Sequence, residues 1–192
     1  MRTPLVLLVL LCSLSSVAAG EESSSQVPLD RQALVLLRVL AYDHNLHKRA
    51  SGTLTIAVVN GQSPEGAQVQ AAMVDSLNKV AQESTVSGLR VKAVAVEYSG
   101  PETLESRLAA TGASALYVCP GLGKESLQVI AEVARRHSML SFSGNEAEVG
   151  QGVGIALVRH SARVAIIIDR SVVSDAGADL DPELLRLSEV RD

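Results

Sequence analysis

Between residues 53 and 143, four short runs of β-branched and small apolar residues alternate with three segments whose apolar residues fall at helical spacing. The runs are Thr53 to Val59, Val91 to Val96, Ala115 to Cys119 and Met139 to Phe142. Between the first two, Ser63-Pro64-Glu65 offers an N-cap, a proline at the first helical position and an acid in the first turn. Val69, Met73, Leu77 and Val80 then step along one face. Ser99-Gly100-Pro101-Glu102 repeats the capping chemistry before Leu104 and Leu108, and Leu127, Ile130, Ala131 and Ala134 form a third stripe. Strand–helix units of roughly thirty to forty residues predict a parallel sheet covered by helices on both faces. The Val/Ile/Ala runs suit strands buried on both sides.

The pattern changes after residue 150. Gly152 to Val158 and Val164 to Ile168 are apolar runs separated by Arg159-His160-Ser161-Ala162-Arg163, which reads as a hairpin. Asp181-Pro182-Glu183 caps a last short helix carrying Leu184, Leu185 and Leu187. The expectation is an α/β fold: a mainly parallel sheet flanked by helices, with a C-terminal antiparallel hairpin at its edge.

The other end sets the compartment. Arg2, the apolar run Leu5 to Leu11 and the small residues Val17-Ala18-Ala19-Gly20 have the order of a secretory signal peptide cut after Ala19. Residues 1–19 are therefore read as signal, 20–29 as a flexible lead-in and 30–192 as one domain. Removal of the signal leaves Cys119 as the one cysteine, so no internal disulfide is expected. A helix opens near Pro28, and from Ala33 to Tyr42 only Arg38 is not apolar. A helix so apolar wants neighbours on more than one side. Leu34, Leu37, Leu40 and Tyr42 are its candidate surface for a partner or for a second copy.

Candidate chemistry is sparse. The loops after the strands supply Asn60, Gln62, Ser99, Gly121, Ser143 and Asn145. They read first as turn formers, and second as hydrogen-bonding groups for a small solute at the carboxyl ends of the strands. Gly123-Lys124 is followed by Glu125, which breaks a phosphate loop. His44 and His47 share a face if helical, but they read as solvated, and the Asp175, Asp179, Asp181, Glu183 cluster lacks calcium-loop spacing. No metal and no cofactor is expected. There is no G-x-S-x-G elbow, and Cys119 in an apolar strand reads as a structural thiol, so no catalytic residue is assigned. A net charge of −4 and 2% aromatic residues disfavour nucleic acid as a partner.

The closing residues resemble one known family. Gly152-Val153-Gly154-Ile155-Ala156-Leu157-Val158, then Arg163 to Asp169, then Gly177, Leu180 and Leu184-Leu185-Arg186-Leu187 are similar to the end of the YfiR family. Its members share a glycine-led strand, a tight hairpin, a strand with a polar end and a helix with a Leu-Leu pair. Asp169 stands where many members have Asn, and the two disulfides of several members are absent. The resemblance implies an exported periplasmic regulator that catalyses nothing. Such a protein binds and restrains an inner-membrane sensor, a diguanylate cyclase or kinase, and so tunes cyclic di-GMP and biofilm formation. It also fits a homodimer. The alternative reading is a small-solute periplasmic binding module.

Overall fold

The computed structural model describes residues 26–161 and 163–192, so the stretch read as a signal peptide and most of that read as a lead-in lie outside the described residues. The chain runs α1 (Leu29–Ala41), α2 (Leu46–Arg49), β1 (Thr53–Asn60), α3 (Pro64–Glu83), β2 (Arg90–Glu97), α4 (Pro101–Thr111), β3 (Ala115–Val118), α5 (Lys124–Arg136) and β4 (Leu140–Ser143). A 3-10 turn (Glu146–Gln151) follows, then β5 (Ile155–His160), β6 (Arg163–Asp169), α6 (Arg170–Asp175), α7 (Pro182–Leu187) and β7 (Glu189–Arg191).

The strands form one sheet in the order β2-β1-β3-β4-β5-β6-β7. Every pairing among the named strands is parallel except β5–β6, which is the expected hairpin, with His160 paired to Arg163 at its closed end. Ser161 takes a left-handed φ of 58° there, as tight hairpin turns require. β7 pairs with β6, so the hairpin lies one strand in from the edge.

Helices cover both faces. From β1 the chain steps outward to β2, then turns back past β1 to β3 and β4. Right-handed crossovers therefore place α3 on one face and α4 and α5 on the other. α1 and α3 share a core with Leu54, Ile56, Val58, Tyr117 and Phe142, while α4 and α5 pack on Ala57, Val59, Leu116 and Val118. Alternate residues of β1 and β3 thus serve opposite cores, which explains their continuous apolar runs. Two side chains also engage the outermost strand β2: Asn78 Oδ1 accepts from the Ala93 N–H at 3.0 Å, and Arg107 donates to the Glu97 carbonyl at 3.0 Å.

Two local expectations change. Ser63 does cap α3, accepting from the Gly66 N–H at 2.9 Å, but α4 is entered through Gly100, at φ 125°, and Ser99 makes no cap. α1 is also not enclosed all round. Ala33, Leu36, Leu37, Val39 and Leu40 face the core, while Leu34 and Tyr42 remain 38% and 43% exposed. Leu37 and Leu40 belong to the core, and only Leu34 and Tyr42 of the four proposed surface residues reach solvent. Within the stretch read as a lead-in, Val27 is buried and α1 begins at Leu29.

A buried clasp holds the end of the sheet at which the parallel strands begin. The Asp43 carboxylate accepts from the Asn45 and Asp179 N–H groups, both at 2.9 Å, and pairs with Arg49. Arg49 also donates to the carbonyls of Ser114 (2.9 Å) and Ser138 (3.2 Å), just before β3 and β4. Backbone bonds from His44 to Asp179 and from Asp181 to Tyr42 stitch the C-terminal segment to the same point.

Candidate functional site

In an open parallel sheet, ligands are expected beyond the carboxyl ends of the strands, where the winding direction reverses. That point lies here between β1 and β3, and the chain's own loops fill it. An added Cβ on Gly61 would lie 2.4 Å from Leu122 Cδ2, and one on Gly66 would lie 2.2 Å from Asn60 Oδ1. The open space is displaced sideways, over the ends of β3, β4 and β5. A cleft of about 370 Å³ is lined there by Tyr117 and Pro120, by Ser143-Gly144-Asn145-Glu146 and by Val158-Arg159-His160. Gln26, Leu29 and Gln32 from the start of α1, with Val69 of α3, complete its walls.

Of the six loop residues singled out from sequence, Ser143 and Asn145 line this cleft, and Asn60, Gln62, Ser99 and Gly121 do not. Asn60 is buried under α3, whereas Gln62 and Gly121 occupy left-handed turns at φ 56° and 92°. Ser99 is exposed ahead of α4.

The cleft is built on polar pairs that the sequence reading missed. The Tyr117 hydroxyl donates to Gln32 Oε1 at 2.8 Å, and Gln32 Nε2 donates to the Val27 carbonyl at 2.8 Å. Both side chains are nearly inaccessible. Burial raises the Tyr117 phenol well above its usual range, with the thiol and carboxyl groups of Cys119 and Glu148 adding to the effect. Gly144 runs directly over the pair: a Cβ there would sit 3.0–3.1 Å from the Gln32 amide and the Tyr117 hydroxyl. A lone Tyr in an apolar strand, which needs a partner for its hydroxyl, was the available signal.

Beside them, Asn145 caps the 3-10 turn by accepting from the Ala147 N–H at 3.1 Å. Three residues on, the buried Glu148 accepts from the Ser143 hydroxyl and, at 3.5 Å, from Asn145 Nδ2. The Asn145-x-x-Glu148 spacing is the sequence trace of such a turn. Desolvation raises the Glu148 pKa, and the Ser143 and Asn145 hydrogen bonds only partly offset this. The native state therefore holds its proton more readily than the unfolded chain does. Its contribution to stability is complete below the ordinary value of 4.5 and is lost as pH rises through the raised native value. Glu148→Gln should flatten this dependence and leave the variant more stable than the parent chain at neutral pH. Chemical denaturation across an acid-to-neutral pH series checks this, and parallel curves for the two proteins would refute it.

The rim of the cleft carries charge. An Arg191 hydrogen bond holds the Glu146 carboxyl below the usual range, and His160 Nε2 lies 3.6 Å from the same carboxylate. Cys119, directly after β3, is fully buried, and burial pushes its thiol up to about 12. It stays protonated and unreactive at neutral pH.

His44 sits in the turn after α1, 3.5 Å from the Asp179 carboxylate and 3.3 Å from that of Asp181, while His47 is on α2. Asp181 also caps α7, accepting from the Glu183 N–H at 2.7 Å. No group of three or more His, Cys, Asp or Glu side chains suited to a metal occurs among the described residues. No helix among them is long and apolar enough to cross a membrane.

Comparison with known proteins places these features. No curated protein matches the chain. Two solved structures share the fold: a conserved domain protein from Vibrio cholerae, 10% identical with a TM-score of 0.59, and an ABC domain in complex with L-Trp from Streptococcus pneumonia, 13% identical with a TM-score of 0.53. They match 85% and 80% of this chain, and in each case the chain spans 60% of the other protein's length. At such identities the likeness concerns the fold alone. The model of the YfiR/HmsC-like family matches residues 31–189, from the first turn of α1 into β7. Asp169, where many members have Asn, caps α6 by accepting from the Val172 N–H at 3.1 Å, a task either residue performs. By that match over nearly the whole described fold, the chain belongs to the YfiR/HmsC-like family.

Proposed function

We propose that this chain is an exported periplasmic regulator that binds and restrains a membrane-bound signalling protein, by family a diguanylate cyclase sensor domain, and thereby tunes cyclic di-GMP and biofilm formation. The match to the YfiR/HmsC-like family across residues 31–189 carries the reading. The site chemistry is in keeping with it. The cleft is lined by a buried Tyr–Gln pair and lies beside a buried acid, each engaged with its own neighbours, and the cysteine is locked in as a thiol. The test is reconstitution. Purified chain added on the periplasmic side of vesicles carrying the cyclase should bind the vesicles and lower cyclic di-GMP synthesis. No capture and no change in synthesis would sink the reading.

One observation favours a second role. The cleft opens over the carboxyl ends of β3, β4 and β5, beside the loop-filled switch point, is lined by both polar and apolar groups, and one protein of the same fold was solved with L-Trp. A small solute seated there would make the regulator responsive to it. Amino acids and other periplasmic metabolites should then raise the melting temperature in proportion to occupancy, and a flat response across the panel would remove this role.

A further inference from the structure

A second hollow lies at the other end of the sheet from the cleft, by the residues that lead into β4 and β5. Ala131 and Ala134 of α5 and Val172 and Ala176 at α6 wall it, and Met139 and Ser141 come from the start of β4. Its volume is about 180 Å³. The space exists because small residues stand where these elements converge. The alanine side chains end at Cβ, and Gly152 comes so near α5 that an added Cβ would lie 2.6 Å from that of Ala131. One polar side chain is buried in this lining. Ser141 is 2% exposed, and its hydroxyl accepts from the Gly154 N–H at 2.8 Å. A hydroxyl also has a proton to donate, and among the described residues that proton has no acceptor. Glu132, Arg135 and Asp175 border the hollow too, but they are exposed, so charge stays at its mouth.

We propose that this hollow is a binding site for a small uncharged carbonyl compound built on an apolar ring. Size sets the ring. A cavity of about 150 Å³ with apolar walls accepts benzene, so the larger volume here suits a six-membered ring bearing one or two further atoms. Burial sets the charge. An ionised group inside would lose its hydration and find no partner. The Ser141 proton sets the polar group. A carbonyl oxygen accepts it and brings no donor of its own, whereas a ligand hydroxyl would bring a proton that needs an acceptor in turn. Water is a poorer occupant. Buried water makes about three hydrogen bonds, and Ser141 is the one buried hydroxyl-bearing or amide side chain in the lining. The site is separate from the cleft and independent of the cyclase reading. An occupant would tie α6, which follows directly on β6, to α5.

Three probes that share one ring and differ in their polar group test it: cyclohexanone, cyclohexanol and cyclohexane. Cyclohexanone at millimolar concentration should shift the methyl NMR signals of Ala131, Met139, Val172 and Ala176 and raise the melting temperature of the full chain. It should bind about fivefold or more tightly than cyclohexanol, the worth of one hydrogen bond. Ser141→Ala should erase that preference and leave cyclohexane binding unchanged. Ala131→Leu, a change at a half-exposed helix position, fills the hollow and should abolish binding of all three probes. Silence at these four methyls overturns the proposal, and so do shifts confined to Leu29 and Val158 of the cleft. A ketone preference that survives Ser141→Ala, or binding that survives Ala131→Leu, overturns it as well. If Ser141→Ala does not fold, the preference of the parent chain and the response of Ala131→Leu decide: equal affinity for ketone and alcohol refutes the carbonyl site.

Discussion

Arg49→Ala is expected to lower the free energy of unfolding by about 3–5 kcal/mol, the cost of leaving one member of a buried ion pair without its partner. The Asp43 carboxylate is fully buried and the Arg49 side chain 6% exposed. Removing the guanidinium leaves a carboxylate held only by the Asn45 and Asp179 N–H groups, and it also orphans the Ser114 and Ser138 carbonyls. For a chain of this size the loss corresponds to a fall in melting temperature of roughly 6–20 °C. The pair joins the α1–β1 connection, the starts of β3 and β4 and the C-terminal segment, so the transition should stay cooperative as it moves. Thermal and urea melts decide the matter, and a shift under about 1 kcal/mol would show that the clasp is not needed to hold these segments together. Arg49→Lys should recover little, because an ammonium cannot donate in the planar fork that reaches two carbonyls and a carboxylate at once.

The second large effect is expected at Tyr117. Truncation to alanine empties an aromatic volume in the core beneath the cleft and should cost about 3–5 kcal/mol, as for other buried aromatic residues. Tyr117→Phe separates the two contributions. It keeps the ring but leaves Gln32 Oε1 buried without its donor, which should cost about 1–3 kcal/mol. Denaturant titration of both variants gives the comparison. Equal losses would mean that the hydroxyl accounts for the whole effect, and a neutral Phe variant would mean that the Gln32 contact is dispensable. Because Gly144 leaves no room above this pair, the Phe variant also reports on the cleft. Any solute that depends on the polar floor should bind it less well.

The layered fold was legible because the residues that make it obey short-range rules. Each of the four parallel strands carries a β-branched or apolar run, and Ser63-Pro64 announces α3 through capping chemistry that the structure repeats. The hairpin of β5 and β6 followed from two apolar runs with a polar turn between them. What escaped was short or depended on distant residues. α2, α6 and β7 have 4, 6 and 3 residues, too few for a period to emerge. At Ser99 the capping composition was present, but Gly100 enters α4 with a positive φ, a conformation that composition alone does not disclose. The cleft was half legible. Ser143 and Asn145 lie on a strand exit, where turn and binding residues are the same types. Gln32 and Tyr117 are 85 residues apart, and no local pattern brings them together. The apolar count along α1 was right and its implication too broad. One side of the helix is core, and on the other Leu34 and Tyr42 reach solvent.

The outer side of β2 has a consequence for assembly. A bare terminal strand offers its backbone as a template on which another chain can lengthen the sheet. Here the amide side chain of Asn78 and the guanidinium of Arg107 already engage backbone groups of Ala93 and Glu97, and Arg90 and Lys92 add exposed positive charge beside them. Sheet extension is blocked on that flank. A visitor that bound by adding a strand would have to come to the far margin, at the three residues of β7.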